Sequence, residues 1–240
     1  MYYDREELVK FYTGILDRLC NAEEDSFRIF LDNRQEDYLC DLDFELLRHN
    51  EVAKKERIYY YNGASKGVIQ AMARPEYVIK FNLSCSPSDL DYCQREFEIY
   101  RKAEEEGLDQ YFAAIDFLFT YGEDFLAAPL DIYLMEAIEP DQSHFYSTGK
   151  ALAQSNPNLE EEEKNTSYAR DEDLLFDAYG IEEGGDELFV KAYLIEFWGR
   201  PTQEKVYHFL YRNEVNDLHT GNVGEREDGS TVFFDYSGYY

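Results

Sequence analysis

Near the N-terminus the apolar positions recur at spacings of three and four. Leu8, Phe11, Tyr12, Ile15, Leu16 and Leu19 fall on one stripe, which is the period of an amphipathic helix. A second helical pattern spans Ser26 to Leu47 with a less regular phase. The two are expected to pack on the remainder of the chain rather than form a domain of their own. At Arg57 the texture changes. Ile58-Tyr59-Tyr60-Tyr61 is a strand-like run, Asn62-Gly63 is a turn signal, and Val68-Ile69-Gln70-Ala71-Met72 resumes the strand texture. After Arg74-Pro75 comes Tyr77-Val78-Ile79-Lys80-Phe81. Three short strands in succession predict an antiparallel meander. Asp89 to Leu108 returns to helical period, with Cys93, Phe97 and Tyr100 on one stripe and Gly107 placed to end it. Ala114 to Tyr121 and Ile132 to Ala137 are two further strands, and Leu188 to Asn213 is an apolar helical region interrupted at Gly199-Arg200-Pro201.

Between Asn156 and Glu187 the pattern lapses, and twelve acidic residues face only Lys164 and Arg170. Such a block is either a solvated loop with weak helicity or a docking surface for a basic partner. The whole chain shares the bias. Its 240 residues carry 23 Lys and Arg against 51 Asp and Glu, a formal charge of −28, whereas a small soluble domain usually sits at a magnitude of ~2–8. This excess opposes direct binding to nucleic acid or to an anionic membrane face, since both recruit Lys and Arg. A hydrophobic content of 44% and an aromatic content of 17% separate the chain from disordered acidic segments.

No segment reaches the ~20 apolar residues of a membrane span, and the N-terminus, charged from Asp4 onward, shows no apolar leader. Cys20, Cys40, Cys85 and Cys93 have neither paired spacing nor a His arrangement suited to zinc. A cytoplasmic protein with reduced, mostly buried thiols is expected.

The densest chemical signal lies toward the C-terminus. Asn216-Asp217-Leu218-His219-Thr220-Gly221-Asn222 presents a carboxylate followed by an amide, and Val232-Phe233-Phe234-Asp235-Tyr236-Ser237-Gly238 delivers a second carboxylate from a strand. Phosphoryl transfer needs each group for its own reason. One carboxylate orients or deprotonates the attacking hydroxyl, while an amide oxygen and another carboxylate hold Mg²⁺ on the nucleotide phosphates. Hard oxygen donors suit magnesium better than sulfur or imidazole. Asp217 is the candidate catalytic residue, and Asn222 and Asp235 are the candidate metal ligands. His219 is read equally as a hydrogen-bonding member of that loop or as a satisfied loop histidine.

Asp217-Leu218-His219-Thr220-Gly221-Asn222 resembles the catalytic loop of the protein-kinase-like superfamily, in the variant seen in aminoglycoside and choline phosphotransferases. Asp235-Tyr236-Ser237-Gly238 is similar to the superfamily's magnesium-binding Asp-Phe-Gly element, with one extra residue before the glycine. Upstream, Val78-Ile79-Lys80 matches its third-strand lysine pattern. The resemblance implies that Lys80 grips the α- and β-phosphates of ATP. It also implies that Glu96, on the following helix, is the ion-pair partner of Lys80, with Glu98 as the other candidate. The turn Asn62 to Gly67 would then cover the nucleotide through Gly63, Ser65 and Gly67. The run Leu134 to Ala137 would be a hinge that hydrogen-bonds adenine through backbone groups at Glu136 and Ala137. Two glycines stand in the turn where protein kinases have three. Asn216 replaces the arginine that precedes the catalytic aspartate in many of them, which speaks against an activation loop controlled by phosphate–arginine pairing.

The resemblance covers Arg57 to Gly238 and implies an α+β, kinase-like fold. Residues 57–138 would form an antiparallel small-lobe sheet with one packed helix. Residues 139–240 would form a mostly helical, reduced C-lobe carrying the acidic insertion 156–187, and residues 1–56 an N-terminal helical addition. Five residues follow Asp235, so no counterpart is expected for the helices that hold the acceptor in kinases, a compact form resembling kinase-like proteins of phages and mobile elements. Two functions stay open, beside a nucleotide-gated binder that uses ATP to order the scaffold without transfer. One is an ATP- and magnesium-dependent phosphotransferase, whose acceptor the sequence does not name. The other is a non-catalytic, pseudokinase-type scaffold whose acidic face imitates nucleic acid and occupies the basic groove of a host protein.

Overall fold

The computed structural model describes residues 3–21, 27–28, 31, 50–62, 66–83, 91–126, 128–163, 165–166, 185–215 and 218–237. The chain divides into two compact units, Met1–Glu98 with Ala114–Ala137, and Ile99–Ala113 with Ile138–Tyr240. The N-terminal residues count with the sheet in the first unit, and residues 99–113 count with the second.

The first unit is built on five strands, β1 (Ile58–Asn62), β2 (Lys66–Ala71), β3 (Tyr77–Asn82), β4 (Ile115–Tyr121) and β5 (Leu130–Glu136). They form one sheet in the order β1-β2-β3-β5-β4, antiparallel at every pairing. The fold is α+β. Strand pairing sets Tyr60 opposite Ile69, Ile69 opposite Ile79, and Ile79 opposite Leu134. Side chains alternate between the faces of a strand, so Ile69, Ile79 and Leu134 share one face with Ala71, Phe81 and Ile132, all of them buried. Helix α1 (Arg5–Cys20) joins that face in a single hydrophobic cluster through Leu8, Tyr12, Ile15, Leu16 and Leu19, the residues of the apolar stripe. Asp4 caps the helix by accepting from the Glu7 N–H at 3.1 Å. Arg5 donates to the Leu118 carbonyl at 2.7 Å, and the Tyr3 hydroxyl donates to Asp116 at 2.6 Å, which ties the start of α1 to the outer strand of the sheet. Of the second helical pattern, Phe27, Arg28 and Leu31 are described and helical, with Phe27 and Leu31 buried in the same cluster; the rest of Ser26–Leu47 lies outside the described residues.

A short helix α2 (Glu51–Glu56) leads into β1. The Asn50 side chain caps it by accepting from the N–H groups of Val52 and Ala53. In β1, Tyr59 is 48% exposed and Tyr61 50% exposed, while Tyr60 is half-buried, the alternation of an edge strand wet on one side. Helix α3 (Tyr92–Glu106) follows β3. It begins in the first unit and ends in the second, where Gly107 takes φ 67° and lets the Leu108 N–H reach the Ala103 carbonyl at 2.8 Å.

The second unit holds α4 (Gln142–Ser155), α5 (Leu159–Glu163), α6 (Gly185–Trp198) and α7 (Arg200–Arg212), with a ribbon of β6 (Val223–Glu225) and β7 (Thr231–Phe233). Helices α4 and α6 approach closely at Gly149, where an added Cβ would sit 2.3 Å from the Phe189 carbonyl oxygen. The break between α6 and α7 falls at Gly199, whose φ of 79° no side chain adopts readily, and Pro201 starts the next helix without needing an N–H partner. An aromatic core of Phe112, Phe209, Phe233 and Tyr236 fills this unit. The Tyr236 hydroxyl donates to the Ala113 carbonyl at 2.8 Å.

At its described ends the acidic stretch is helical, with Glu160, Glu161 and Glu162 exposed and some of its carboxylates paired. Glu163 on α5 is buried and accepts from Arg200 at 2.7 Å, and neighbouring Glu162 accepts from the same guanidinium at 2.7 Å. Lys191 on α6 lies 2.9 Å from Glu187 and 3.8 Å from Glu163. These three carboxylates belong to an internal ion-pair network. The intervening residues 167–184 lie outside the described ones. Among the described residues no helix is long and apolar enough to cross a membrane.

Leu16 is fully buried against the sheet. Leu16→Ala is expected to lower unfolding free energy by about 2–5 kcal/mol, read from urea denaturation of the full chain. A loss below about 1 kcal/mol would mean that α1 is not seated in this core.

Candidate functional site

The face of the sheet turned away from α1 carries charged residues. Lys80 lies opposite Val68 on β2 and opposite Tyr133 on β5, and Lys66 lies two residues before Val68 on β2, opposite Asn82. Period-two alternation therefore puts Lys66 and Lys80 on one face. Helix α3 brings Glu96 to both. Lys80 Nζ lies 2.6 Å from Glu96 Oε2, and Lys66 Nζ lies 2.9 Å from Glu96 Oε1. The side chains are 4%, 7% and 0% exposed for Lys80, Lys66 and Glu96. A carboxylate removed from water this completely stays ionised only beside cations and hydrogen-bond donors. Glu98, two residues on, is exposed, and Gln94 donates to its carboxylate. Lys66 is the residue that sequence reading passed over. Its signal was the spacing Lys66-Val68 against Lys80-Asn82, which becomes visible only once the hairpin register is set.

The residues around this centre are shaped by the same burial. Burial pushes the Cys93 thiol well above its usual range, and the nearby Glu96 carboxylate adds to the effect. Cys93 is thus a protonated packing residue rather than a nucleophile. Asp91 accepts from the Gln94 N–H at 2.9 Å at the start of α3. Its carboxyl is raised above the usual range, chiefly by burial, with Asp131 and Glu98 nearby adding to the rise. Phe97 packs on Tyr133, ring centroids 6.1 Å apart, and so seats the same turn of α3 on the sheet.

Of the glycine-containing turn, Gly63 and Ser65 lie outside the described residues. Gly67 is in β2, on the α1 face, where an added Cβ would sit 2.5 Å from the Phe81 ring. Its small size answers a packing need. At the predicted hinge, the Glu136 N–H donates to the Ala114 carbonyl at 2.9 Å and the Ala137 N–H to the Glu76 carbonyl at 3.0 Å. Both amide donors are engaged within the first unit.

In the second unit, Asn222 and Asp235 come to one end of the β6–β7 ribbon. Val223 pairs with Phe233, and the Phe234 N–H donates to the Asn222 carbonyl at 3.0 Å, so the register continues through Asn222 to the residue before Asp235. Asn222 is buried and Asp235 half-buried. Oxygen donors of this kind fit a magnesium ion. Asp217, Gly238, Tyr239 and Tyr240 lie outside the described residues. His219 Nδ1 accepts from the Gly221 N–H at 2.9 Å, which leaves the ring proton on Nε2 and makes the histidine part of its own loop. Gly221 is confined by that contact, since an added Cβ would lie 2.7 Å from the imidazole. Among the described residues no three His, Cys, Asp or Glu side chains converge to hold a metal ion. No protein-family model, no curated protein and no solved structure matches the chain.

Two outcomes test this geometry. Glu96→Gln leaves two buried ammonium groups around a neutral amide and is expected to destabilise the chain by about 3–5 kcal/mol, while Lys66→Met, which keeps the Lys80–Glu96 pair, costs less. Urea denaturation of both variants measures the order. Asp91 titrates with its folded pKa above the unfolded one, so the folded state binds the proton more tightly. Its contribution favours folding as pH falls and opposes folding once the group ionises. Asp91→Asn retains a capping oxygen and is expected to be more stable than the wild type at pH 7, with the gain fading toward about pH 3. Equal gains at both pH values would contradict the assignment.

Proposed function

We propose that this chain is a kinase-like protein that binds ATP with magnesium and transfers a phosphoryl group, with the first unit's lysine–glutamate centre as its phosphate-binding element. The observation that carries the reading is the Lys80–Glu96 ion pair at 2.6 Å. It joins a central strand to the helix that lies between the third and fourth strands of a sheet ordered β1-β2-β3-β5-β4, the arrangement that the resemblance implies for a small lobe. A lysine in the middle of a sheet is poorly placed unless its charge is used, and a glutamate holds it in one orientation.

In this reading Lys80 meets the α- and β-phosphates and Glu96 positions it. Asn222 and Asp235 would hold a magnesium ion, which would supply positive charge to phosphate oxygens. Asp217 orients the acceptor hydroxyl. Lys80 is a compact charge on a flexible stem, so its value to a phosphate depends on Glu96 limiting where the ammonium sits.

The formal charge of −28 favours a second reading, in which the acidic surface binds a basic protein and the nucleotide centre only orders the scaffold. Binding of that kind weakens steeply with salt and persists in Lys80→Met.

Calorimetry of the full chain with ATP, with and without Mg²⁺, tests the first reading. Lys80→Met is expected to weaken ATP at least ~10-fold. Asp235→Asn is expected to remove the magnesium dependence. Phosphate release or transfer is expected to fall ~100-fold or more in Asp217→Ala. Absence of any nucleotide binding at millimolar concentration would sink the proposal.

A further inference from the structure

The nucleotide reading uses one lysine of the buried centre, and the structure supplies two. Lys66 Nζ sits at Glu96 Oε1 and Lys80 Nζ at Glu96 Oε2. One carboxylate therefore holds two ammonium groups side by side, from adjacent strands and on one face of the sheet. Their pairing on Glu96 makes sense for a ligand that presents several negative groups in a row. The polyphosphate chain of a nucleoside di- or triphosphate does so, whereas a monophosphate presents one. Each ammonium carries three N–H donors around a rotatable carbon, so a lysine that keeps one donor on Glu96 can turn another to phosphate oxygen.

We propose that Lys66 and Lys80 act together as a two-lysine clamp for a polyphosphate chain. Glu96 is the positioning residue that aligns both, and Lys66 sets the preference for di- and triphosphates over monophosphates. The identity of the attached base rests on the reading above. The recognition of linked phosphates rests on the Lys66–Glu96–Lys80 geometry alone.

The test is calorimetry of the full chain in magnesium, with ATP, ADP, AMP and inorganic triphosphate as probes. The proteins are the wild type, Lys66→Met, Lys80→Met and the double variant, each checked for folding by a thermal melt without ligand. Lys66→Met is expected to weaken ATP, ADP and triphosphate by ~10–100-fold, the loss of a charge-assisted contact, and AMP by less than about threefold. The double variant is expected to lose triphosphate binding. If Lys66→Met binds ATP as the wild type does, the clamp is overturned and the nucleotide reading stands. If triphosphate binds in a Lys66-dependent way and no nucleotide binds, the clamp stands and the nucleotide reading falls. If no probe binds, both fall. The wild type gives an independent check that needs no variant: ATP is expected to bind at least ~10-fold more tightly than AMP, and a ratio near one overturns the clamp even if Lys66→Met fails to fold.

Discussion

A carboxylate with no exposure to water can remain charged only if cations reach it, and Glu96 is met by Lys66 and Lys80 at hydrogen-bond distance. Much of the first unit is arranged around that requirement. The lysines stand on adjacent strands in a register that sets them on one face, so the hairpin between β1 and β2 and the pairing of β2 with β3 have to be right together. Helix α3 has to present Glu96 inward, which it does with Phe97 against Tyr133 and Cys93 buried beside it. A one-residue slip of either strand would send its lysine into the apolar α1 face and leave Glu96 short of a partner. Buried ion pairs of this kind add little net stability compared with well-packed apolar residues, but they penalise wrong arrangements heavily.

The two faces of the sheet thus have different tasks. The α1 face is apolar and holds the unit together through Leu16, Ile79, Phe81 and Leu134. The α3 face carries the charged chemistry. Gly67 belongs to the first face, where Phe81 leaves no room for a side chain. Glu136 and Ala137 likewise spend their N–H groups on the carbonyls of Ala114 and Glu76.

The acidity of the chain divides in a comparable way. A charge of −28 suggests a uniform coat, yet Glu96 and Glu163 are buried and paired, and Glu162 and Glu187 are held by Arg200 and Lys191. Glu96 and Glu163 are buried struts, whereas Glu162 stays at the solvent side of its network. The acidic residues left in water determine how the surface meets other molecules.

Much of the element order was legible from local pattern. The α1 stripe, the meander from Ile58 to Phe81, the end of α3 at Gly107 and the break at Gly199 each follow from side-chain period or from backbone freedom, which are properties of neighbouring residues. The Lys80–Glu96 partnership was legible only through family resemblance, because nothing local links a strand lysine to a helix glutamate. Lys66 was not legible in either way. Its position depends on which residue of β2 faces which residue of β3, and register is decided by burial across the whole sheet. The amino-acid order by itself determined the helices, the strands and the types of group available for chemistry. Tertiary structure alone decided that Glu96 serves two lysines and that Phe81 closes over Gly67, because both depend on contacts between segments that local sequence pattern does not link.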